Sequence, residues 1–206
     1  MAAMSRMPAE QRREQLLDCA SDLFATQGYA RATTSQLAKS AGVTEPIIYR
    51  HFASKRDLFV ALIERTGRRT LEKWSKHLED AADPAERVRR LIGDNPMVSS
   101  EGRVAYRVFL QAISEVESDE KIADAINAHI GRVHEFLREE IEKAQDAHRM
   151  PSRFSAEVLA WVMINVGMGY GVLSALGVSG HGRDAGGVHV QEVLARAMVG
   201  KVGEDG

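Results

Sequence analysis

An all-α fold is predicted for this 206-residue chain from three features of its sequence. Apolar residues recur at the three-and-four spacing of a helix face through almost every segment. Ser, Thr or Asp stand where those runs begin, and Gly or Pro where they end. No stretch alternates polar and apolar residues as a half-buried strand does. Hydrophobic residues make up 44% and charged residues 27%, the balance of a globular protein with a sizeable core. One cysteine, Cys19, excludes an internal disulfide and reads as a small core residue. The opening MAAMSRMPAEQRRE lacks an apolar run, so a cytoplasmic location is expected.

The elements follow in order. Leu16, Leu17, Ala20, Leu23 and Phe24 mark a first helix that Gly28 stops. A second covers Thr33 to Ala41, with Thr34 as N-cap, and Gly42 follows it. Thr44 then caps a short helix from Glu45 to His51, with Pro46 in the first turn where no N–H is needed. Ser54-Lys55-Arg56-Asp57 resembles a capping box opening a long helix through Leu58, Leu62, Leu71 and Trp74. Asp83-Pro84-Ala85-Glu86 starts another, and Asp94-Asn95-Pro96 breaks the chain. Gly102 to Val116 carries Val104, Val108, Phe109, Ala112, Ile113 and Val116 on one face. Ser118 caps a long amphipathic helix with Ile122, Ile126, Ile130, Val133, Leu137 and Ile141 inward. On that helix Glu139, Glu140 and Glu142 read as the solvated face. Met150-Pro151-Ser152 interrupts, Ser155 to Leu176 is an apolar helix, and a glycine-marked loop leads to a last helix around Val188 to Val199.

The net charge of −2 hides an asymmetry. Residues 1–69 hold 11 Lys/Arg against 7 Asp/Glu, and residues 70–206 hold 16 against 22. A basic end on an acidic body suits a nucleic-acid-binding head. Within that end, two short helices flank a glycine-containing turn, the signature of a helix-turn-helix. Leu37, Ala38, Ala41, Val43, Ile48 and Phe52 supply its small core. Spacing alone leaves open a helical hairpin packed inside an ordinary bundle.

The residues themselves carry further. From Leu23 to Leu58 the chain reads LFATQGYARATTSQLAKSAGVTEPIIYRHFASKRDL. With Phe24, Gly28-Tyr29, Thr33-Thr34, Leu37-Ala38, Ala41-Gly42-Val43, Ile48 to Phe52 and Ser54 to Leu58, it resembles the N-terminal domain of the tetracycline-repressor (TetR) family. Glu45-Pro46 departs from the glycine many members place near the start of the recognition helix. The resemblance implies residues 1–57 as a DNA-binding domain and residues 58–206 as an effector-binding and dimerisation domain. It implies phosphate contacts from Thr33, Thr34, Tyr49, His51 and Lys55, which fix register. Ser35, Glu45, Pro46, Ile47 and Arg50 take the base-facing positions. Arg50 can bond a guanine edge bidentately, Glu45 can accept from cytosine N4, and Ile47 or Pro46 can touch a thymine methyl. Glu45 reads equally as a first-turn acid that favours the helix dipole and touches no base. Arg6, Arg12 and Arg13 either add phosphate contacts from an arm or form a solvated face.

The resemblance also places a small-molecule effector among the middle helices and a homodimer through Ser155–Leu176 and Val188–Val199. Trp74, Met97, Tyr106, Phe109, Trp161, Met163, Met168 and Tyr170 are the large side chains there, and their character favours an apolar effector. No catalytic residue, metal site or cofactor is expected. Gly167-Met168-Gly169-Tyr170-Gly171 lies inside a helical run, not after a strand, so it is no dinucleotide loop. Gly167 and Gly171 instead leave a flat stripe for close approach of another helix. Val158 to Val178 is uncharged and long enough to span a bilayer, but lacks a basic flank and fits a buried interface helix better. The expected function is a DNA-binding repressor released from a palindromic operator by its effector. The alternatives are a helix-turn-helix regulator without a small-molecule ligand, or an α-helical enzyme with a structural hairpin.

Overall fold

The computed structural model describes residues 7–93 and 100–199. These contain nine α-helices: α1 Ala9–Gln27, α2 Thr34–Ser40, α3 Glu45–His51, α4 Lys55–His77, α5 Pro84–Gly93, α6 Ser100–Ile113, α7 Glu120–Asp146, α8 Ala156–Ala175 and α9 Val190–Val199. Among the described residues there is no strand, only an isolated antiparallel bridge between Arg183 and His189. The expected break at Asp94-Asn95-Pro96 lies outside the described residues. The chain divides into two compact units. The first holds the residues up to Thr66 with Arg107–Ile126, and the second holds Gly67–Tyr106 with those from Asn127 onward.

In the first unit Leu16, Leu17, Ala20 and Phe24 of α1 are buried, as are Leu58, Phe59 and Leu62 of α4. Phe24 packs edge-on against Tyr29 and Phe59, and Tyr29 stacks on Phe59 with centroids 4.2 Å apart. The chain leaves α1 at Gly28 with φ +83°, a left-handed conformation that costs glycine little. Arg65 is 5% exposed. Its Nη1 donates to Asp18 at 2.7 Å and to Glu14 at 3.2 Å, tying α4 to α1. Gln111 adds a hydrogen bond from its amide to the Phe24 carbonyl, 2.7 Å.

Two cap positions differ from the sequence reading by one residue. Thr33, not Thr34, caps α2, forming a reciprocal box with Gln36. Asp119, not Ser118, caps α7, its carboxylate accepting from the Lys121 and Ile122 amides while Ser118 bonds the Glu115 carbonyl. In each case two adjacent residues offer capping oxygens, and only the register of the turn decides between them. Thr44 precedes α3 in an extended conformation but makes no side-chain cap bond.

The second unit is built around Trp74, Leu78, Val88, Leu91, Leu137, Ile141, Ala160, Met163 and Met198, with α5 lying against α9. Glu140 is a correction. It is 3% exposed, not solvated, because it shares the inward stripe of α7 with Leu137, Ile141 and Ala144. Arg87 meets it bidentately at 2.5 and 3.1 Å, and Lys143 donates to it at 2.8 Å. Glu139 is exposed and Glu142 pairs with Arg138.

On α8, Leu159, Ala160, Met163 and Ile164 are buried. Val158, Trp161, Val162, Leu173 and Leu176 are exposed. Length and composition alone would let this helix cross a membrane. Its glycines are not equivalent. A Cβ at Gly167 would meet nothing, whereas one at Gly171 would strike the Tyr106 ring. Within the chain, Gly171 is approached by a side chain of α6.

Candidate nucleic-acid interface

The site is assembled by short-range rules. α2 ends at Ala41, whose amide bonds back to Leu37, and Gly42 at φ +64° reverses the chain. The Val43 amide then bonds the Ala38 carbonyl at 2.9 Å, closing the turn. Leu37, Ala38, Ala41, Ile48 and Phe52 are buried beneath it, while Val43 is half-buried. With Ile48 anchored, α3 must present its other faces outward. Pro46, Tyr49 and Arg50 are exposed, and Glu45 and Ile47 are half-buried. Ser35 is exposed on α2. The five expected base-facing positions thus fall on these two helices, and Arg50 is exposed among them.

The expected phosphate-facing residues divide. Thr33 is exposed, but its hydroxyl serves the α2 cap. Thr34 and Tyr49 come together, with their hydroxyl oxygens 3.2 Å apart. Thr34 also donates to the Glu45 carboxylate at 2.9 Å. The His51 ring is half-buried beside Phe52. Lys55 also has partners within the chain. Its ammonium donates to the carbonyls of Tyr29, Ala32 and Ala30 at 3.0, 3.1 and 3.4 Å and lies 4.5 Å above the Tyr29 ring. Three donors meet three acceptors, so Lys55 holds the turn after α1 from a half-buried position. Lys55→Ala is accordingly expected to lower the stability of the first unit by about 1–3 kcal/mol in urea denaturation, besides any effect on DNA. Unchanged stability would return Lys55 to the phosphate-facing group.

Sequence reasoning gave Arg13 a phosphate contact or a solvated face and missed its hold on α3. Its Nη1 donates to the His51 carbonyl at 3.0 Å, and its guanidinium lies 4.4 Å above the Phe52 ring. It clamps the C-terminal end of α3 to α1. The signal was its position, three and four residues before Leu16 and Leu17, on the inner edge of α1. Arg12 bonds Gln15 one turn on, and Arg6 lies outside the described residues.

The residues expected to line an effector pocket are scattered. Trp74 and Met163 are buried in the core of the second unit, with Met168 packed against it. Tyr106 lies over α8 and donates to the Met168 carbonyl at 2.7 Å. Tyr170 sits instead among His181 and His189 of the loop before α9. Trp161 is 42% exposed and stacks on His134. Phe109 belongs to the first unit, and Met97 lies outside the described residues.

Residues 16–62 match the family of bacterial regulatory proteins of the tetR type, and residues 84–198 match the C-terminal domain of BetI-type transcriptional repressors. The transcriptional activator FasR of Mycolicibacterium smegmatis is 28% identical over 151 residues, covering 63% of this chain and 68% of FasR. The nucleoid occlusion factor SlmA of Vibrio campbellii is 32% identical over 129 residues. That match covers 62% of this chain and 65% of SlmA, so the chain spans just under two thirds of that relative. A transcriptional regulator from Saccharomonospora viridis, solved in complex with choline, superposes with a TM-score of 0.75 at 22% identity, covering 91% of this chain and 93% of that one. Reduced NemR of E. coli gives 0.72 at 20% identity, covering 81% and 88%. The two family models take in both the helix-turn-helix and most of the helices beyond it, and the chain belongs to the TetR family of DNA-binding transcriptional regulators.

Proposed function

We propose that the chain is a homodimeric repressor that leaves a palindromic operator when a small molecule binds, and that it has no enzymatic activity. Residues 1–57 would bind DNA, and residues 58–206 would take the effector and form the dimer. The observation that carries the reading is the outer face of α3, where Arg50 and Tyr49 stand exposed on a helix anchored by Ile48. Arg50, Ser35, Pro46 and Ile47 read bases, while Thr33, Tyr49 and His51 address the backbone and Thr34 holds its hydroxyl on Glu45. The choline held by the Saccharomonospora viridis regulator supports a small organic effector of the second unit. The dimer is supported by an uncovered apolar surface. Val158, Leu176 and Val193 are 52, 72 and 56% exposed, and a cavity of about 250 Å³ opens between Phe154, Val158, Val162 and Leu194. Burying such a surface against a symmetry mate would account for the apolar helix without a membrane, and supports a cytoplasmic location.

Selection from a random DNA pool tests the reading. The selected site should show two-fold symmetry, with half-sites roughly 34–36 Å apart centre to centre. Arg50→Ala should then flatten the preference at one position per half-site by about 1–3 kcal/mol, while Tyr49→Phe weakens all sites alike. A site without a repeat, or an unchanged profile for Arg50→Ala, would contradict it.

A further inference from the structure

We infer that Glu45 is a positioning residue for the α2–α3 DNA contacts and not a reader of bases. The inference rests on the DNA-binding reading above. Glu45 Oε2 accepts the Thr34 hydroxyl at 2.9 Å, and Thr34 Oγ1 lies 3.2 Å from the Tyr49 hydroxyl. A threonine hydroxyl has one proton, and an ionised acceptor takes it in preference to a neutral one. The phenol proton of Tyr49 must therefore point to Thr34 Oγ1. The chain of donors runs in one direction, Tyr49 to Thr34 to Glu45. It joins the first turn of α2 to both turns of α3, since Glu45 and Tyr49 stand four residues apart on the same face.

This arrangement has two consequences. The Tyr49 ring is 49% exposed, yet its oxygen is held in place. Rotation about the C–O bond can carry its proton to a phosphate oxygen without moving the ring, so the contact is set up before DNA arrives. The Thr34 hydroxyl, in contrast, stays committed to Glu45, as does one oxygen of the carboxylate. A carboxylate bound in this way at the first position of α3 also offsets the positive end of that helix. It has no need of a cytosine amine.

Two substitutions separate the roles. Glu45→Gln and Glu45→Ala both remove the negative charge, so any general gain in DNA affinity is common to them. Only Gln keeps an oxygen that can accept from Thr34. Affinity for the selected operator should therefore be about three- to tenfold weaker for Glu45→Ala than for Glu45→Gln. The base-preference profile should be the same for both and for wild type. Tyr49→Phe should weaken binding by the same factor in wild type and in Glu45→Gln, and by a smaller factor in Glu45→Ala, where the Thr34 hydroxyl is free to rotate away from Tyr49. A base reader behaves otherwise. Exchanging carboxylate for amide trades a cytosine partner for an adenine partner and would move the profile at one position. Such a shift, equal affinities for the Gln and Ala variants, or an undiminished Tyr49→Phe effect in Glu45→Ala would overturn the assignment. A wild type that selects no sequence at all would overturn the regulator reading, and this assignment with it.

Discussion

Glu140→Ala is expected to lower the stability of the second unit by about 2–4 kcal/mol. Burial is the largest influence on this carboxyl and pushes its pKa up. The hydrogen bonds and charges of Arg87 and Lys143 outweigh it and hold the group below the ordinary carboxylate range. Truncation leaves Arg87 with one fixed partner, the Leu78 carbonyl at 2.7 Å. Breaking a buried pair costs about 3–5 kcal/mol, and the 27% exposure of the Arg87 side chain moves this case toward the lower part of that range. The sign with pH follows from the depressed pKa. The stabilisation is fully present above the unfolded-state value near 4.5 and is lost as pH falls through the lower folded value. Glu140→Gln should therefore be less stable than wild type at neutral pH and converge on it in acid. Urea midpoints measured from neutral to acid pH test this. Parallel curves for the two proteins would show that Glu140 contributes through its volume and not its charge.

Glu140 also shows where the sequence stops being informative. The helices were legible because their signals are local. The inward spacing of Leu16, Leu17, Ala20 and Phe24 and the turn glycine Gly42 lie within a few residues of what they determine. The helix-turn-helix was legible for the same reason, since a buried Ile48 dictates which residues of α3 face out. Charged side chains are another matter. Arg87 and Glu140 are 53 residues apart, and although Glu140 falls on the inward stripe of its helix with Leu137 and Ile141, nothing local names the cation that lets a carboxylate be buried there. Lys55 reads as a surface cation until the Tyr29 carbonyl, 26 residues earlier, is placed beside it. Arg13 was hidden likewise by a partner 38 residues away. The residues expected at an effector pocket carry no local signal either. Large apolar side chains look alike in sequence whether they enter a core, as Met163 does, or stack on a surface histidine, as Trp161 does. Which of them converge depends on helix packing angles that no local pattern encodes.

The glycine at 171 is expected to be as sensitive as Glu140, for a steric reason. A Cβ there would come within 2.6 Å of Tyr106 Cε2 and 2.7 Å of Cε1, far inside van der Waals contact. The Tyr106 ring cannot retreat cheaply, because its hydroxyl donates to the Met168 carbonyl at 2.7 Å. Burial, which raises the phenol pKa, marks the same ring as partly withdrawn from water. Gly171→Leu must expel the ring, losing that hydrogen bond and overpacking the contact, for a combined cost of about 2–4 kcal/mol. Gly171→Ala should already destabilise. Ordinarily glycine in a helix is worse than alanine by about 1 kcal/mol, so the sign of this effect is diagnostic. In a Tyr106→Ala background the obstruction is gone, and Gly171→Ala should become neutral or stabilising by about 1 kcal/mol. That reversal, read from urea denaturation of the four proteins of the cycle, assigns the glycine to Tyr106. Sedimentation of Gly171→Leu separates the remaining possibility. If the leucine variant keeps its subunit stability but falls from dimer to monomer, Gly171 serves a partner helix and not the tyrosine of its own chain.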